Sequence, residues 1–311
     1  MNILLNIIIK LLLVLIIDKM STVLVEMLSN SMGDTIGAMP CIEEFRKNND
    51  KIVVKINPFF ERLFTKSYPK IIFYREGMDY DKLIKIDYDF TRPLQSGFAK
   101  QLGFNSWEYV RPKVDSFRKE RPIKNKYVTI SVHSTAQLKY WNHPSGKRSQ
   151  PDSPYWDELC NMIRKSGYTP VIVEKDEMFG IPPFRNGLPR RSNNKFGISL
   201  EDTINYIEHS EFFIGLSSGL SWLAHALNKP VAMISNFSED WHEIDLLISD
   251  YKRITNKSVC HGCWNSVNKE FKFEFDDWYW CPKHKGTERQ FECHTSITPE
   301  QVFNEIKEWI K

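Results

Sequence analysis

Four cysteines, Cys260, Cys263, Cys281 and Cys293, are spaced C-x2-C-x17-C-x11-C within 34 residues of a 311-residue chain, whose other 277 residues hold only two more. Two thiolates separated by two residues can fold around one ion. Two later ones can close a tetrahedral sulfur site of the kind that holds zinc or iron. The alternative, four unrelated buried thiols, is disfavoured by the clustering. A site closed by four protein ligands leaves no open position for a substrate, so such a metal braces the aromatic, charged excursion WNSVNKEFKFEFDDWYW and does not react. His261, His284 and His294 lie among these cysteines as substitute ligands, supporting groups or ordinary surface histidines.

Three further segments carry chemistry. In SNSMGDTIGAMP, residues 29–40, Asp34 lies where a strand turns into a helix. A carboxylate there can act as a general base on an attacking hydroxyl, or it can cap the helix. In GLSSGLSWLAHAL, residues 215–227, Ser217, Ser218 and Gly219 form a turn that ends a strand and opens a helix. The free N–H groups of that helix start suit a diphosphate, although either serine could simply cap the helix, and the motif is weaker than a full glycine fingerprint. In HSTAQLKYWN, residues 133–142, Lys139 offers a cation to a departing nucleoside diphosphate, or is a surface lysine. Glu174, at the end of the following strand, is placed to accept hydrogen bonds from a ribose, or is an ordinary solvated glutamate.

These residues need a frame to position them. Residues 23–27 read as a strand, followed by a turn and a helix that runs to Asn48 and Asn49, with Pro40 expected to kink or end its first turns. A strand follows at 51–56, with short candidates at 71–74 and 83–87; the polar, proline-containing stretch 111–126 reads as a linker. The second half alternates strand (127–133), helix (154–167), strand (170–174), helix (200–210), strand (211–216), turn and helix (217–228) and strand (230–235). That rhythm predicts an α/β protein with parallel sheets covered by helices, in two Rossmann-like lobes with a cleft at the strand C-terminal ends. The expected division is a hydrophobic extension at 1–19, one lobe at 20–120, and a second lobe at 121–311 carrying the metal site at 260–293.

Composition narrows the function classes. Forty-one per cent hydrophobic and 26% charged residues can bury a core, which excludes a disordered chain, and a net charge of +3 argues against a nucleic-acid partner. Six cysteines are too few for a disulfide scaffold and fit a reducing, cytoplasmic setting. The apolar run ILLNIIIKLLLVLII, residues 3–17, is shorter than the roughly 20 residues of a bilayer span and lacks a basic leader and a cleavage site. It reads as an anchor or interfacial helix, as an element packed on the domain, or as upstream sequence ahead of a start at Met20. An anchor would associate the protein with the membrane.

The stretches QLKYWN, FFIGLSSGLSWLAHAL, CHGCWN and WCPKHKGTERQFEC resemble the bacterial autotransporter heptosyltransferases, relatives of the lipopolysaccharide heptosyltransferases. The likeness is most specific from Tyr127 to the C-terminus. It implies a GT-B-type fold and an inverting transfer of heptose from ADP-heptose to serine hydroxyls of an autotransporter adhesin. It also implies a structural iron on the four cysteines, where cysteine chemistry alone leaves zinc open. By motif, Asp34 becomes the base, Lys139 a donor-phosphate ligand and Ser217 to Gly219 the diphosphate cradle. Family members carry a further region ahead of the GD loop that docks the acceptor and assembles a homo-oligomer, whereas only 33 residues precede Asp34 here. Another nucleotide sugar, a glycan acceptor, or a non-catalytic sugar- or protein-binding role are the alternatives. A rubredoxin-like electron carrier or a zinc-ribbon nucleic-acid binder fits less well with two nucleotide-binding lobes and near-neutral charge.

Overall fold

The computed structural model describes residues 21–49, 51–134, 140–142, 153–180, 185–274 and 277–311. The hydrophobic extension at 1–19 and Lys139 lie outside the described residues. Two separate parallel sheets organise the chain. The first runs in the order β3-β2-β1-β4, with β1 Thr22–Met27, β2 Lys51–Lys55, β3 Ile72–Phe73 and β4 Lys82–Ile86. Val25 pairs with Val54 on one side and Ile84 on the other, and the run of buried apolar residues in β1 is what a parallel strand covered on both faces requires.

The second sheet contains β5 Tyr127–Ser131, β6 Thr169–Glu174, β9 Asn193–Phe196, β10 Phe213–Leu216, β11 Val231–Ile234 and β12 Tyr251–Ile254. A small antiparallel pair, β7 Met178–Phe179 and β8 Asn186–Gly187, interrupts the chain between β6 and β9. Across the sheet the order is β12-β11-β10-β5-β6-β9. Counted within the second half, that is the 3-2-1-4-5-6 order of dinucleotide-binding domains, and the first sheet is the same order cut short after four strands. The strand order therefore reverses between β1 and β4 in one lobe and between β5 and β10 in the other. Ligands of open α/β sheets bind at such reversals.

Helix α1, Met32–Lys47, continues through Pro40 instead of ending there. Proline removes one helical hydrogen bond, but Met39, Pro40, Cys41 and Ile42 are all buried, so packing holds the helix across the gap. The stretch 111–126 has no regular structure, yet it is pinned. Buried Asp115 accepts from Ser67 N at 2.6 Å and Lys66 N at 2.8 Å, and Lys119 N donates to Asn205 Oδ1 at 2.7 Å. Helices α2 Leu94–Gln101, α3 Pro154–Lys165, α4 Leu200–His209, α5 Gly219–Ala226 and α6 Pro299–Ile306 complete the layers. Among the described residues, no helix is long and apolar enough to cross a membrane.

The lobes meet where α1 and α5 begin. A Cβ on Gly33 would stand 3.4 Å from Gly219 Cα, and one on Gly219 would stand 3.0 Å from Met32 Cβ and 3.3 Å from Gly33 N. Two helix starts are thus pressed together: a Cβ at position 219 would crowd Met32 and Gly33, and one at position 33 would crowd Trp222 Cδ1 at 3.1 Å. Trp222 of α5 covers both Gly33 and Gly37. Further crossings include the Arg111–Asp250 ion pair, the Tyr109 hydroxyl against His225 Nε2 at 3.0 Å, and Leu94 N donating to His242 O at 2.8 Å. Gly219→Val forces side-chain volume into this seam and should cost about 1–3 kcal/mol, as overpacked cores do. A lowered urea midpoint with an unchanged slope is the expected readout.

Candidate functional site

The loop after β1 is shaped by two serine contacts. Ser31, not Asp34, caps α1: its side chain accepts from Asp34 N at 3.5 Å. Asp34 is the third helical residue, half-buried, and Ser29 Oγ donates to its Oδ2 at 2.6 Å. Its carboxylate therefore stands at the positive end of the helix dipole, in the first turn of the helix that follows β1 and flanks the first strand-order reversal.

The loop after β10 faces it. Ser217 is buried and donates to Glu243 Oε1. Ser218 occupies the cap position of α5 without making a cap bond, and its buried hydroxyl has no partner among the described residues. Behind this turn, Glu243 Oε2 accepts from Arg253 Nη1 at 2.9 Å. Arg253, whose side chain is 1% exposed, also donates to Ser238 O and Ser238 Oγ at 2.8 Å each. A fully desolvated ion pair thus anchors the serine turn.

A third cluster crosses between the lobes. Tyr88 follows β4, and its hydroxyl receives Trp264 Nε1–H at 2.6 Å and bonds His242 Nε2. Buried Asn265 holds His242 Nδ1 at 2.9 Å, Phe90 O at 2.6 Å and Glu239 N at 2.7 Å. Burial, and then the charge of Asp34, push the Tyr88 phenol well above its ordinary range. Trp264 and Asn265 come from the turn directly after Cys263, so the cysteine-bearing segment reaches the other lobe through them.

Glu174 ends β6 as expected, but it is buried. Its Oε1 accepts from Ser131 Oγ at 2.9 Å, Val132 N at 2.5 Å and His133 N at 2.9 Å, so it straps the end of β5. Burial pushes its carboxyl up to about 7.

Cys260, Cys263, Cys281 and Cys293 line one small cavity together with His284 and Glu292. Cys260 Sγ and Cys263 Sγ are 3.8 Å apart. Two sulfurs bound at about 2.3 Å to a tetrahedral ion would be separated by about the same distance, so the thiols fit a metal. Cys260, His284 and Glu292 also bring ligand atoms within 4.8 Å of one another, an alternative donor set at the same place. Buried His294 sits beside Cys293 Sγ at 3.3 Å, and His261 Nδ1 contacts its own loop at Val259 O. The remaining two cysteines, Cys41 and Cys160, are buried in the apolar cores.

Sequence patterns single out Asp34, the serine turn and the cysteines, but not Tyr88, His242, Glu243 or Arg253. For Tyr88 a signal existed: it follows a strand candidate that ends at the first strand-order reversal. The other three sit in no motif.

No protein-family model matches the chain. It is similar to the autotransporter heptosyltransferase Aah of Escherichia coli, at 32% identity over 93% of this chain and 74% of that protein. The crystal structure of the dodecameric iron-containing heptosyltransferase TibC with ADP-D-beta-D-heptose superposes with a TM-score of 0.81 at 28% identity, covering 94% of this chain and 76% of that one. The fold alone is shared with E. coli ADP-heptose lipopolysaccharide heptosyltransferase II, with a TM-score of 0.57 at 11% identity over 94% of this chain and 98% of that one.

Glu174 yields a pH prediction. Its folded pKa of about 7 lies above the ordinary value of 4.5, so the folded state binds the extra proton between them. Stability should therefore fall as pH rises from about 4.5 to about 7 and level off above. Glu174→Gln should flatten that fall in denaturant titrations across the window.

Proposed function

The chain belongs to the autotransporter heptosyltransferases, a glycosyltransferase family, and we propose that it moves heptose from ADP-heptose to serine hydroxyls of an autotransporter-type protein, inverting the sugar carbon. The observation that carries this reading is the seam itself. Asp34, at the first strand-order reversal, directly follows Gly33, whose backbone packs against Gly219 at the open helix start of the second.

In this reading residues 20–120 present the acceptor and residues 121–311 hold the donor. Asp34 takes the acceptor proton as that oxygen attacks the anomeric carbon and the bond from the carbon to the diphosphate oxygen breaks. The N–H groups that open α5, with the hydroxyl of Ser218 and the cation of Lys139, receive the charge left on ADP, while Ser217, whose hydroxyl is donated to Glu243, holds the turn of that cradle in place. Glu174 serves the ribose side, holding residues 131–133 from behind. In-line displacement needs both partners fixed, and a seam between two rigid sheets supplies that.

Cys260, Cys263, Cys281 and Cys293 would hold one metal ion, iron by analogy with TibC and zinc by thiol chemistry alone. When bound, the ion supplies a cross-link with no open position. A homo-oligomer follows by the same analogy, and reduced thiols fit the cytoplasm.

In thermal melts ADP should stabilise the chain more than UDP, GDP or CDP. Asp34→Asn should lower heptose transfer about 100- to 10,000-fold while keeping the ADP shift; losing both would contradict the base role. Cys263→Ser should reduce bound metal by elemental analysis and lower the melting temperature, and unchanged metal content would rule out the four-thiolate site.

A further inference from the structure

The hydrogen-bond arithmetic around Tyr88 assigns its proton. Asn265 Oδ1 accepts from Glu239 N at 2.7 Å, and Asn265 Nδ2 donates to Phe90 O at 2.6 Å. Flipping that amide would set oxygen against oxygen and N–H against N–H, so its orientation is fixed. The second hydrogen of Nδ2 then points at His242 Nδ1, 2.9 Å away, which makes Nδ1 an acceptor. A neutral imidazole that accepts at Nδ1 carries its proton on Nε2. His242 Nε2–H therefore donates to the Tyr88 oxygen, as does Trp264 Nε1–H at 2.6 Å.

Both lone pairs of the Tyr88 oxygen are then used, and its own O–H can go to neither neighbour. Among the described residues it has no acceptor. Its position points to one. Tyr88 lies in the loop after β4, and Asp34 in the first turn of α1, which follows β1, on the two sides of the first strand-order reversal. Of the charged groups around it, Asp34 acts on the hydroxyl most strongly. A cavity of about 290 Å³ opens beside the ring, between residues 88–91 and Gln101 of the first lobe and residues 267–269 of the second.

We infer that Tyr88 is a further catalytic residue whose O–H donates to the acceptor hydroxyl oxygen while Asp34 accepts that oxygen's proton. This rests on the transfer reading above. An alcohol oxygen has one hydrogen and two lone pairs. With the hydrogen on Asp34 and one lone pair on Tyr88, a single lone pair is left, and its direction is set. Tyr88 thus aims the nucleophile that Asp34 activates. Trp264 and His242 do not touch substrate; they hold the phenol in the orientation that makes it a donor.

The test is steady-state transfer by the full chain with acceptor and ADP-heptose varied separately. Tyr88→Phe should lower kcat/KM for the acceptor about 10- to 100-fold, the scale of a misaimed nucleophile. The ADP dissociation constant and metal content should stay at wild-type values, with the melting temperature lowered by the Trp264 and His242 N–H groups left unpaired. Trp264→Phe keeps the hydroxyl but removes one of its two fixed donors, and should give a smaller loss in the same acceptor parameter. Wild-type acceptor kinetics in Tyr88→Phe would overturn the inference, as would a loss that comes with weaker ADP binding or lost metal. If the wild-type chain transfers nothing, the transfer reading itself falls, an outcome distinct from an active enzyme that is indifferent to Tyr88.

Discussion

Two helix N-termini standing side by side at the lobe boundary are the constraint on which the site depends. Each start leaves four backbone N–H groups without helical partners and carries roughly half a positive charge. Bringing two together is unfavourable unless negative charge stands among them. Asp34 at the start of α1 and Glu243 behind the start of α5 supply some of it from the protein. A diphosphate would supply the rest, so the same packing that closes the lobes creates a demand for an anion. Glycine suits positions 33 and 219 because a Cβ at 219 would crowd Met32 and Gly33, and one at 33 would crowd Trp222.

The rigid parts behind this seam are mostly buried polar groups. Arg253 on β12 and Glu243 after β11 form an ion pair that is costly to desolvate, and replacing both with apolar residues would often be neutral for stability in such cases. Its use here is geometric: through Glu243 the pair fixes Ser217, and through Ser217 the turn that opens α5. Glu174 performs the equivalent task on the next loop, gathering Ser131, Val132 and His133 onto one carboxylate oxygen. Both loops that flank the second strand-order reversal are thus held from below by a buried carboxylate.

How much of this was legible in the sequence divides by the range of the interaction. The alternation of strand and helix, the GD loop and the serine turn are local patterns, and the structure places these elements where periodicity put them. Helix α1 runs past Pro40 because its burial depends on residues distant in sequence, Leu94 of its own lobe and Trp222 of the other, which local propensity cannot see. The cap at Ser31 was ambiguous because Ser29, Ser31 and Asp34 are all capping residue types, and only geometry separates a cap from a carboxylate three residues on. Tyr88 and His242 are 154 positions apart, and Glu243 and Arg253 come from separate segments around β12. No spacing rule links them, because their contact is created by the topology of the sheets.

The cysteine-bearing excursion follows from the same reasoning. Among its described residues there are only single turns, such as residues 263–266 and 292–295, and no paired strand longer than a bridge. Such a segment lacks the ladder of hydrogen bonds that would hold it in one conformation. Its stiffness must come from side chains: the cluster in which Trp264, Phe273 and Trp280 meet edge to face, and the four thiols around one cavity. Both supports converge on residues 263–265. Trp264 is the hub of the aromatic cluster, and Cys263 is its neighbour in the chain. The side chains that leave this point, Trp264 and Asn265, are the ones that reach Tyr88, Phe90 and His242 at the seam. A metal ion there would thus act at a distance, by fixing the two residues that orient the Tyr88 hydroxyl.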